Sequence, residues 1–511
     1  MGRVLTNATG LSYALESSLA TLPGSPTWKA IEPNEIPAFG AEITTVPRRP
    51  ISKSRQRRKG ATTDLDSSVE VNADLTMESF LDFIQSFLFA AAKYPSSQSP
   101  IRSGALYLNL AADNDPPPAG TDPGFTHSAL SAAIPTGRLV YSRGFTNAVN
   151  NGLFQVKTGS TTTATLVEGT PAFVDEIPSN EANATLEIAG VRGATGDIQV
   201  NAGGNLISTV LDFTTLGLVV GQVIHVGGLL TANRFAIAAN FGYARVRAIA
   251  TNLLTLDKKA TTFTTDNGSG KQIDLLFSGF VRNVAVDHAD YRENSFHFEA
   301  AFPNLDVPGP GARYEYAKGN FANELNINLP LTDKAGLEFR FVGTDTEVPT
   351  TSRKTNAANA ALPVQTTAFS TASDIARLRV TKVDETGLTT DFKSLTATLN
   401  NNVTREKVLG VLGARYMNAG LFEVDVETQI VFTDSRVIEA VRNNETLTMD
   451  WSIRNGDGGV FFDIPSLTLE GGGRDFEVDA SVLASFTIQS FGDPVLGYSI
   501  GVSLFAFVPA S

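Results

Sequence analysis

Cysteine is absent from all 511 residues of the chain, and histidine occurs only four times. The first absence excludes disulfides and thiolate metal sites. No run of 18 apolar residues occurs, so no transmembrane helix is predicted. The N-terminal stretch also lacks a continuous apolar core of the length that a signal peptide needs. A large chain without reactive thiols is more typical of assembled proteins outside the cell than of cytosolic enzymes.

The four histidines do not stand in any zinc-binding spacing, and a structural zinc site would also need cysteines that are absent. We expect each of them to be a surface or strand residue. They are His127, His225, His288 and His297.

Two glycine-rich segments resemble ligand-binding loops, and both are incomplete. Residues 268–271 (GSGK) resemble a phosphate loop, but Thr265 stands where glycine is needed and Gln272 where serine or threonine is needed. Residues 455–459 resemble a calcium loop, but Ser466 occupies the twelfth position in place of glutamate. We therefore predict turns at both places. The sequence predicts no catalytic residue, no cofactor and no metal site, and the protein is not expected to be an enzyme.

Strand-forming patterns dominate what the sequence does contain. Its 44 glycines and 24 prolines favour short strands and many turns. Apolar and polar residues alternate with the period of a strand that has one buried face. The alternating segments are 69–75, 296–302, 325–329, 337–342, 395–399 and 423–432. A mainly β protein of antiparallel sandwiches or barrels, with few helices, is predicted.

A basic arm at 47–59 stands out from an acidic chain whose formal net charge is −13. Without the arm, the remainder carries 33 basic and 53 acidic residues, a net charge of −20. Such a body repels nucleic acid at long range. The arm is therefore expected to contact the acidic surface of a neighbouring copy, with a solvated hairpin tip as the alternative. Its basic residues are Arg48, Arg49, Lys53, Arg55, Arg57, Arg58 and Lys59.

An amphipathic helix is predicted at 77–92, directly after the alternating strand 69–75. Its apolar residues recur at helical spacing and form a core-facing stripe. The predicted core residues are Phe80, Leu81, Phe83, Ile84, Phe87 and Leu88. The same order of strand and helix recurs at 423–441, which indicates two copies of one domain.

The middle of the chain has a different texture, rich in glycine, threonine and alanine. Residues 145–166 and 235–256 each predict a turn, a strand, a short turn and a second strand. We predict small β-barrel modules inserted in the first of the two domains. The resulting division is 1–125 and 286–345 for the first domain, 126–285 for the insertion and 346–511 for the second domain.

In the order of several short segments, the chain resembles the tail tube proteins of long-tailed, non-contractile bacteriophages. The resemblance covers about half of the chain, mostly outside 120–285. The segments are 28–33 (WKAIEP), 48–53 (RRPISK), 64–68 (DLDSS), 314–316 (YEY), 339–343 (FRFVG), 399–403 (LNNNV) and 412–413 (LG).

The resemblance implies β-sandwich tube domains, each with one flanking helix, whose strands close into a continuous inner barrel within a ring. Rings would stack into a hollow virion tail through which double-stranded DNA passes without specific binding. Most members carry one tube domain and form hexamers. Two domains in one chain therefore imply a trimer with pseudo-sixfold symmetry, with a hexamer as the alternative. Expected partners are further copies of the chain and the tape measure, terminator and distal tail proteins.

A different class of function also fits a β-rich chain of this kind. A phage fibre or cell-surface binding module could recognise glycans through the middle barrels. Such a protein would form a ring-free oligomer with ligand affinity, and the tube protein would form rings with a central channel.

Overall fold

A computed structural model describes residue 6 and residues 9–509, except 52, 54, 96–100, 103–109, 114–121, 129, 168–172, 179–183, 304–311, 362–365, 383–386, 390, 434 and 457. The predicted mainly β fold class is confirmed. The described residues form 32 strands, β1–β32, and two α-helices, α1 and α2.

The N-terminal region supplies four strands and the first helix. They are β1 (Gly10–Leu15), β2 (Trp28–Ile31), β3 (Glu35–Arg48), β4 (Arg58–Asp74) and α1 (Met77–Phe87).

The next 13 strands form a sheet of their own. They are β5 (Ile101–Arg102), β6 (Leu110–Asp113), β7 (Gly124–His127), β8 (Arg138–Arg143), β9 (Gly152–Gly159), β10 (Thr163–Leu166), β11 (Thr185–Arg192), β12 (Gln199–Val200), β13 (Leu206–Ile207), β14 (Val223–Val226), β15 (Gly242–Ala250), β16 (Leu253–Asp257) and β17 (Asp274–Leu276).

The remaining strands and the second helix complete the chain. They are β18 (Phe280–Arg282), β19 (Ser295–Phe302), β20 (Arg313–Leu329), β21 (Gly336–Gly343), β22 (Asp345–Thr346), β23 (Ile375–Lys382), β24 (Gly387–Thr389), β25 (Phe392–Asn400), β26 (Thr404–Glu406), β27 (Tyr416–Asn418), β28 (Glu423–Val431), α2 (Arg436–Arg442), β29 (Leu447–Asn455), β30 (Gly458–Asp475), β31 (Leu483–Ser490) and β32 (Gly501–Phe505). One-turn 3-10 helices lie at Ala148–Asn150, Phe213–Leu216, Thr231–Asn233, Ala238–Asn240 and Ala357–Asn359.

One antiparallel sheet runs through both ends of the chain. Its strands follow one another in the order β3, β4, β21, β20, β25, β28, β31, β30, β29 and β23. The alternation of the sequence places apolar side chains on one face, where Val71, Phe339, Leu399 and Ile488 lie in a single core. Helix α1 contributes Phe87 to that core and helix α2 contributes Val437.

Helix α1 is shorter than the predicted helix, because it ends at Phe87 and not at residue 92. Phe89 adopts a left-handed backbone conformation with φ of 44°, which a continuing helix does not allow. The Ala90 amide donates to the carbonyl of Gln85, and the Ala92 amide donates to the Gln85 side chain at 2.8 Å. These bonds satisfy groups that the helix end would otherwise leave unpaired.

The middle of the chain contains the two similar halves that its sequence predicts. In each, a 3-10 turn ending in a buried asparagine precedes two paired strands, β9 and β10 in one half and β15 and β16 in the other. Asn150 exchanges two hydrogen bonds with the backbone of Val174. Asn240 does the same with Thr264. The matching bonds show that the two halves share local geometry as well as strand order.

Candidate assembly interface

Two sets of strands outside the middle sheet share one pairing scheme. In the first unit, β1 pairs with β2 and β19, β4 with β3 and β21, and β20 with β19 and β21. In the second unit, β23 pairs with β24 and β29, β28 with β25 and β31, and β30 with β29 and β31. Helix α1 follows β4, and helix α2 follows the corresponding strand β28. The two units therefore have the same topology.

The β-bulges of the two units also correspond. Against β21, strand β20 has one extra residue at Asn323, and against β31, strand β30 has one at Gly472. The register of β3 against β4 shifts at 36–37, and that of β25 against β28 shifts at Lys393. Because a bulge changes the local twist and the direction of side chains, these shared positions relate the two units residue by residue.

The two units meet within the chain where β20 of the first unit pairs with β25 of the second. Leu325 lies opposite Leu399, Ile327 opposite Ala397 and Leu329 opposite Leu395. All six side chains are buried. This junction extends the sheet from one unit into the next without a break.

The part of the sheet from β3 to β30, in the order given above, contains eight strands, four from each unit, and is called the eight-strand run. At each end of this run, a strand edge has no pairing partner among the described residues. Strand β3 pairs only with β4, and β30 beyond Leu467 pairs only with β31. Apolar side chains stand exposed at both edges: Ile43 in β3 is 58% exposed, and Phe476 and Val478, which follow the end of β30 at Asp475, are 75% and 93% exposed. An exposed edge of this kind is a template for pairing with another chain.

The predicted basic arm forms the tip of the hairpin that joins β3 to β4. Arg48 ends β3, Arg58 and Lys59 begin β4, and the other four basic residues lie between the strands. All seven are exposed. The arm therefore presents its charge to solvent at the end of the open edge strand.

The structure describes four of the six side chains that were predicted to form the core-facing stripe of the helix. Phe83, Ile84, Phe87 and Leu88 are buried, and the ring of Phe83 lies 5.0 Å from that of Phe339. The side chains of Phe80 and Leu81 lie outside the described residues.

Carboxylates cover the polar face of the eight-strand run. Glu423, Asp425 and Glu427 project from β28, and Glu470 projects from β30, on the other side of β31. Partial desolvation and these three glutamates raise the pKa of Asp425. Farther along the same face, Arg340 lies between Glu324 and Glu338, with its Nη1 2.6 Å from Glu324 Oε1. The face is strongly acidic.

A buried ionic cluster connects the middle sheet to the second unit, and no sequence pattern indicates it. The carboxylate of Asp463 accepts from Arg245 Nη1 at 2.9 Å, Lys258 Nζ at 2.5 Å and the Tyr498 hydroxyl at 2.9 Å. Burial raises the pKa of Asp463, but Arg245 and Lys258 outweigh it and hold that pKa below its usual value. Burial lowers the pKa of Lys258. Partners far apart in the sequence thus fix the two parts of the chain together.

A second group of interacting ionisable side chains lies in the first unit, around the buried His297. His297 Nδ1 is 2.9 Å from Glu16 Oε1, and its Nε2 is 3.3 Å from Glu347 Oε1. Burial lowers the pKa of His297, but the hydrogen bond to Glu16 and the nearby carboxylate of Glu347 raise it more, so the net shift is upward. The neighbouring His297 side chain in turn lowers the pKa of Glu347 to about 2. The other three histidines contact no such pair of carboxylates in the described part of the chain.

In comparison with known families, the chain matches a family model described as phage tail tube protein over residues 6–490. A search of curated proteins finds no match to the chain. No helix within the described ranges is long and apolar enough to cross a membrane.

Proposed function

Because the chain belongs to the phage tail tube protein family, we propose that it polymerises into stacked rings that form the channel for genome passage from capsid to host. The observation that carries this proposal is the eight-strand run with an acidic face and two open edges. Joining such edges from copy to copy removes them, and closure of a sheet on itself leaves no edge at all. The family is one of structural proteins.

The strand count favours three chains in a ring. Each unit contributes four strands to the run, so a trimer would close 24 strands and a hexamer twice as many. With about 4.8 Å between strands and a tilt of about 40°, 24 strands span about 48 Å between opposite backbones. Side chains on both walls reduce that by about 10 Å. The trimer thus leaves ample room for a DNA duplex, and the hexamer is far wider than passage requires.

The acidic face would line the channel. Carboxylates there repel the phosphates of DNA, so a genome would slide through without adhering to the wall. The opposite face is occupied by the core and the two helices.

The basic arm would contact the next subunit or ring. Arginine can pair with a carboxylate through two hydrogen bonds, and the acidic chain supplies the partners. We place the inserted region, 126–285, on the outside of the tube, because the channel must remain clear. The domain boundaries 1–125, 286–345 and 346–511 belong to the same proposal, as do assembly in the host cytoplasm and contact with tape measure, terminator and distal tail proteins.

Negative-stain electron microscopy of the purified protein at high concentration tests the proposal. We expect stacked rings with a central channel and threefold or pseudo-sixfold end views. A ring-free oligomer that binds glycans would contradict the tube and support the alternative, a fibre or surface binding module.

A further inference from the structure

The strand pair that joins the two units within one chain suggests how two chains could join. At the internal junction, β20 of the first unit pairs with β25 of the second. Strand β30 corresponds to β20, and β3 corresponds to β25. We propose that the end of β30 in one copy pairs antiparallel with β3 of a second copy, in the register that the internal junction sets. This inference rests on the proposed ring and specifies how its subunits join.

Residues that lie opposite one another across neighbouring strands form a row, and matching rows show which positions of the two units are equivalent. In the first unit, one row runs through Ala322, Phe341, Val69 and Phe39. In the second, the matching row runs through Gly471, Phe486, Thr428 and Leu395. The bulge residue follows directly in both strands, Asn323 after Ala322 and Gly472 after Gly471.

Counting from these rows gives the register between copies. Ile327 corresponds to Phe476, and its internal partner Ala397 corresponds to Ala41. Phe476 of one copy therefore lies opposite Ala41 of the next. By the same count, Arg474 lies opposite Ile43.

The exposure of these side chains supports the assignment. Ile327, Ala397 and Leu399 are 0% exposed at the internal junction. Their counterparts at the open edges include Phe476, which is 75% exposed, and Ile43, which is 58% exposed. Arg474 replaces Leu325, and its guanidinium lies 4.6 Å from the centre of the Phe432 ring, so its stem covers apolar surface. A second copy would bury what the isolated chain leaves exposed.

The polar face of the new junction differs from that of the internal one. Inside the chain, Thr398 donates to Asn326 at 2.7 Å. The corresponding pair between copies is Glu42 and Asp475, and opposed carboxylates are unfavourable. They face the acidic side of the sheet, where water and salt screen them. The repulsion between this one pair is therefore expected to weaken as the salt concentration rises.

Cysteine cross-linking tests the register directly, because the chain has no cysteine of its own. Ala41→Cys and Phe476→Cys are made as separate chains and co-expressed, and assemblies purified from them are oxidised. We expect a covalent dimer on a non-reducing gel when both variants are present and none when either is alone. Opposed residues in antiparallel strands lie about 4.5–5.5 Å apart at Cα, within disulfide reach.

Two controls accompany the test. Ile327→Cys with Ala397→Cys in one chain reports oxidation at the equivalent internal positions. Ile43→Cys mixed with Val478→Cys is four residues out of register and should not cross-link. Electron microscopy of the same samples records whether rings are present.

The outcomes separate the register from the proposed function. Rings with a cross-link at 41 and 476, but not at 43 and 478, support the inference. Rings that cross-link only out of register, or not at all while the internal control oxidises, overturn the register and leave the tube in place. Absence of both rings and cross-links contradicts the register and the tube together.

Discussion

At the scale of single residues, Asp463 lies at the centre of a cluster of buried charges. Its side chain is 1% exposed and contacts Arg245 and Lys258, whose side chains are 4% and 6% exposed. Lys258 also accepts hydrogen bonds at its carbonyl from Arg377 and Arg379, which pair with the buried Asp450. The cluster holds the middle sheet against β29 and β30.

Replacing Asp463 should therefore be costly. Asp463→Ala leaves the buried Lys258 without its carboxylate and leaves Arg245 with Asp257 alone, and we expect a loss of about 3–5 kcal/mol in the free energy of unfolding. The midpoint of urea unfolding measures it. Asp287→Ala, at an exposed carboxylate, should change stability by less than about 0.5 kcal/mol. Equal midpoints for the two variants would show that the cluster does not stabilise the fold.

His297 makes stability depend on pH in the neutral to alkaline range. Its pKa is raised in the folded protein, so its contribution is complete below the ordinary histidine value of about 6.5 and is lost as pH rises through the folded value. We expect the melting temperature of the wild type to fall across this window. His297→Gln should remove that part of the decline.

His288→Gln serves as the control, since the His288 side chain is 40% exposed. It should retain the pH dependence of the wild type. A His297→Gln profile parallel to the wild-type profile would contradict the assignment.

At the scale of elements, the arm is the end of a long hairpin whose strands the rest of the sheet holds on one side only. Reversal of charge across Arg55, Arg57 and Arg58, each to Glu, should prevent tube polymerisation and leave the monomer folded. The reason is that the arm would then repel the acidic surface of its neighbour. Electron microscopy and far-UV circular dichroism measure the two results.

Replacing the same three arginines with lysine provides the matched control. Charge is retained, so tubes should still form, although lysine lacks the paired geometry of arginine. Tubes of normal length from the glutamate variant would contradict a role for the arm in assembly.

The open edge offers an independent prediction. Phe476→Asp should stop ring formation without unfolding the chain, because the side chain is 75% exposed in the monomer and a buried carboxylate is unfavourable at a junction. Ile177→Asp, at an 87% exposed residue between β10 and β11, should assemble normally. The sedimentation profile of each variant distinguishes monomers from rings.

Periodic patterns in the sequence predicted individual strands and helices well. They could not predict contacts between residues that are far apart in the sequence. Alternation at 69–75 and 423–432 predicted β4 and β28, and helical spacing predicted α1, because these signals lie within one element. The end of α1 depends on the backbone of Phe89 and the bonds of Gln85, which spacing does not show. Arg245 and Asp463 are 218 residues apart, so only the folded chain brings them together.

The correspondence between the two units was predictable only as an order of elements. Strand followed by helix occurs twice in the sequence, but equivalent positions carry different residues, such as Ile43 and Leu399. The bulges and rows that establish the equivalence exist only in the pairing of strands. For the same reason, the open edges could not be located from sequence.

At the scale of the whole molecule, the sign of charge on the polar face determines how a tube would treat DNA. Changing Glu423, Glu427 and Glu470 to Lys removes three negative charges and adds three positive ones to each subunit. If this face lines the channel, tubes of the variant should retain double-stranded DNA at low salt and release it as salt rises. Wild-type tubes should retain little DNA at any salt concentration.

The control variant makes the same change in net charge at three positions outside the polar face. Asp175, Asp287 and Glu439 are exposed carboxylates away from the polar face, and their replacement by Lys changes net charge by the same amount. DNA bound by this control should be accessible to nuclease, because it lies on the outside of the tube. DNA held by the channel variant should be protected, since the wall excludes the enzyme. Equal nuclease sensitivity of the two variants would place the acidic face outside the channel.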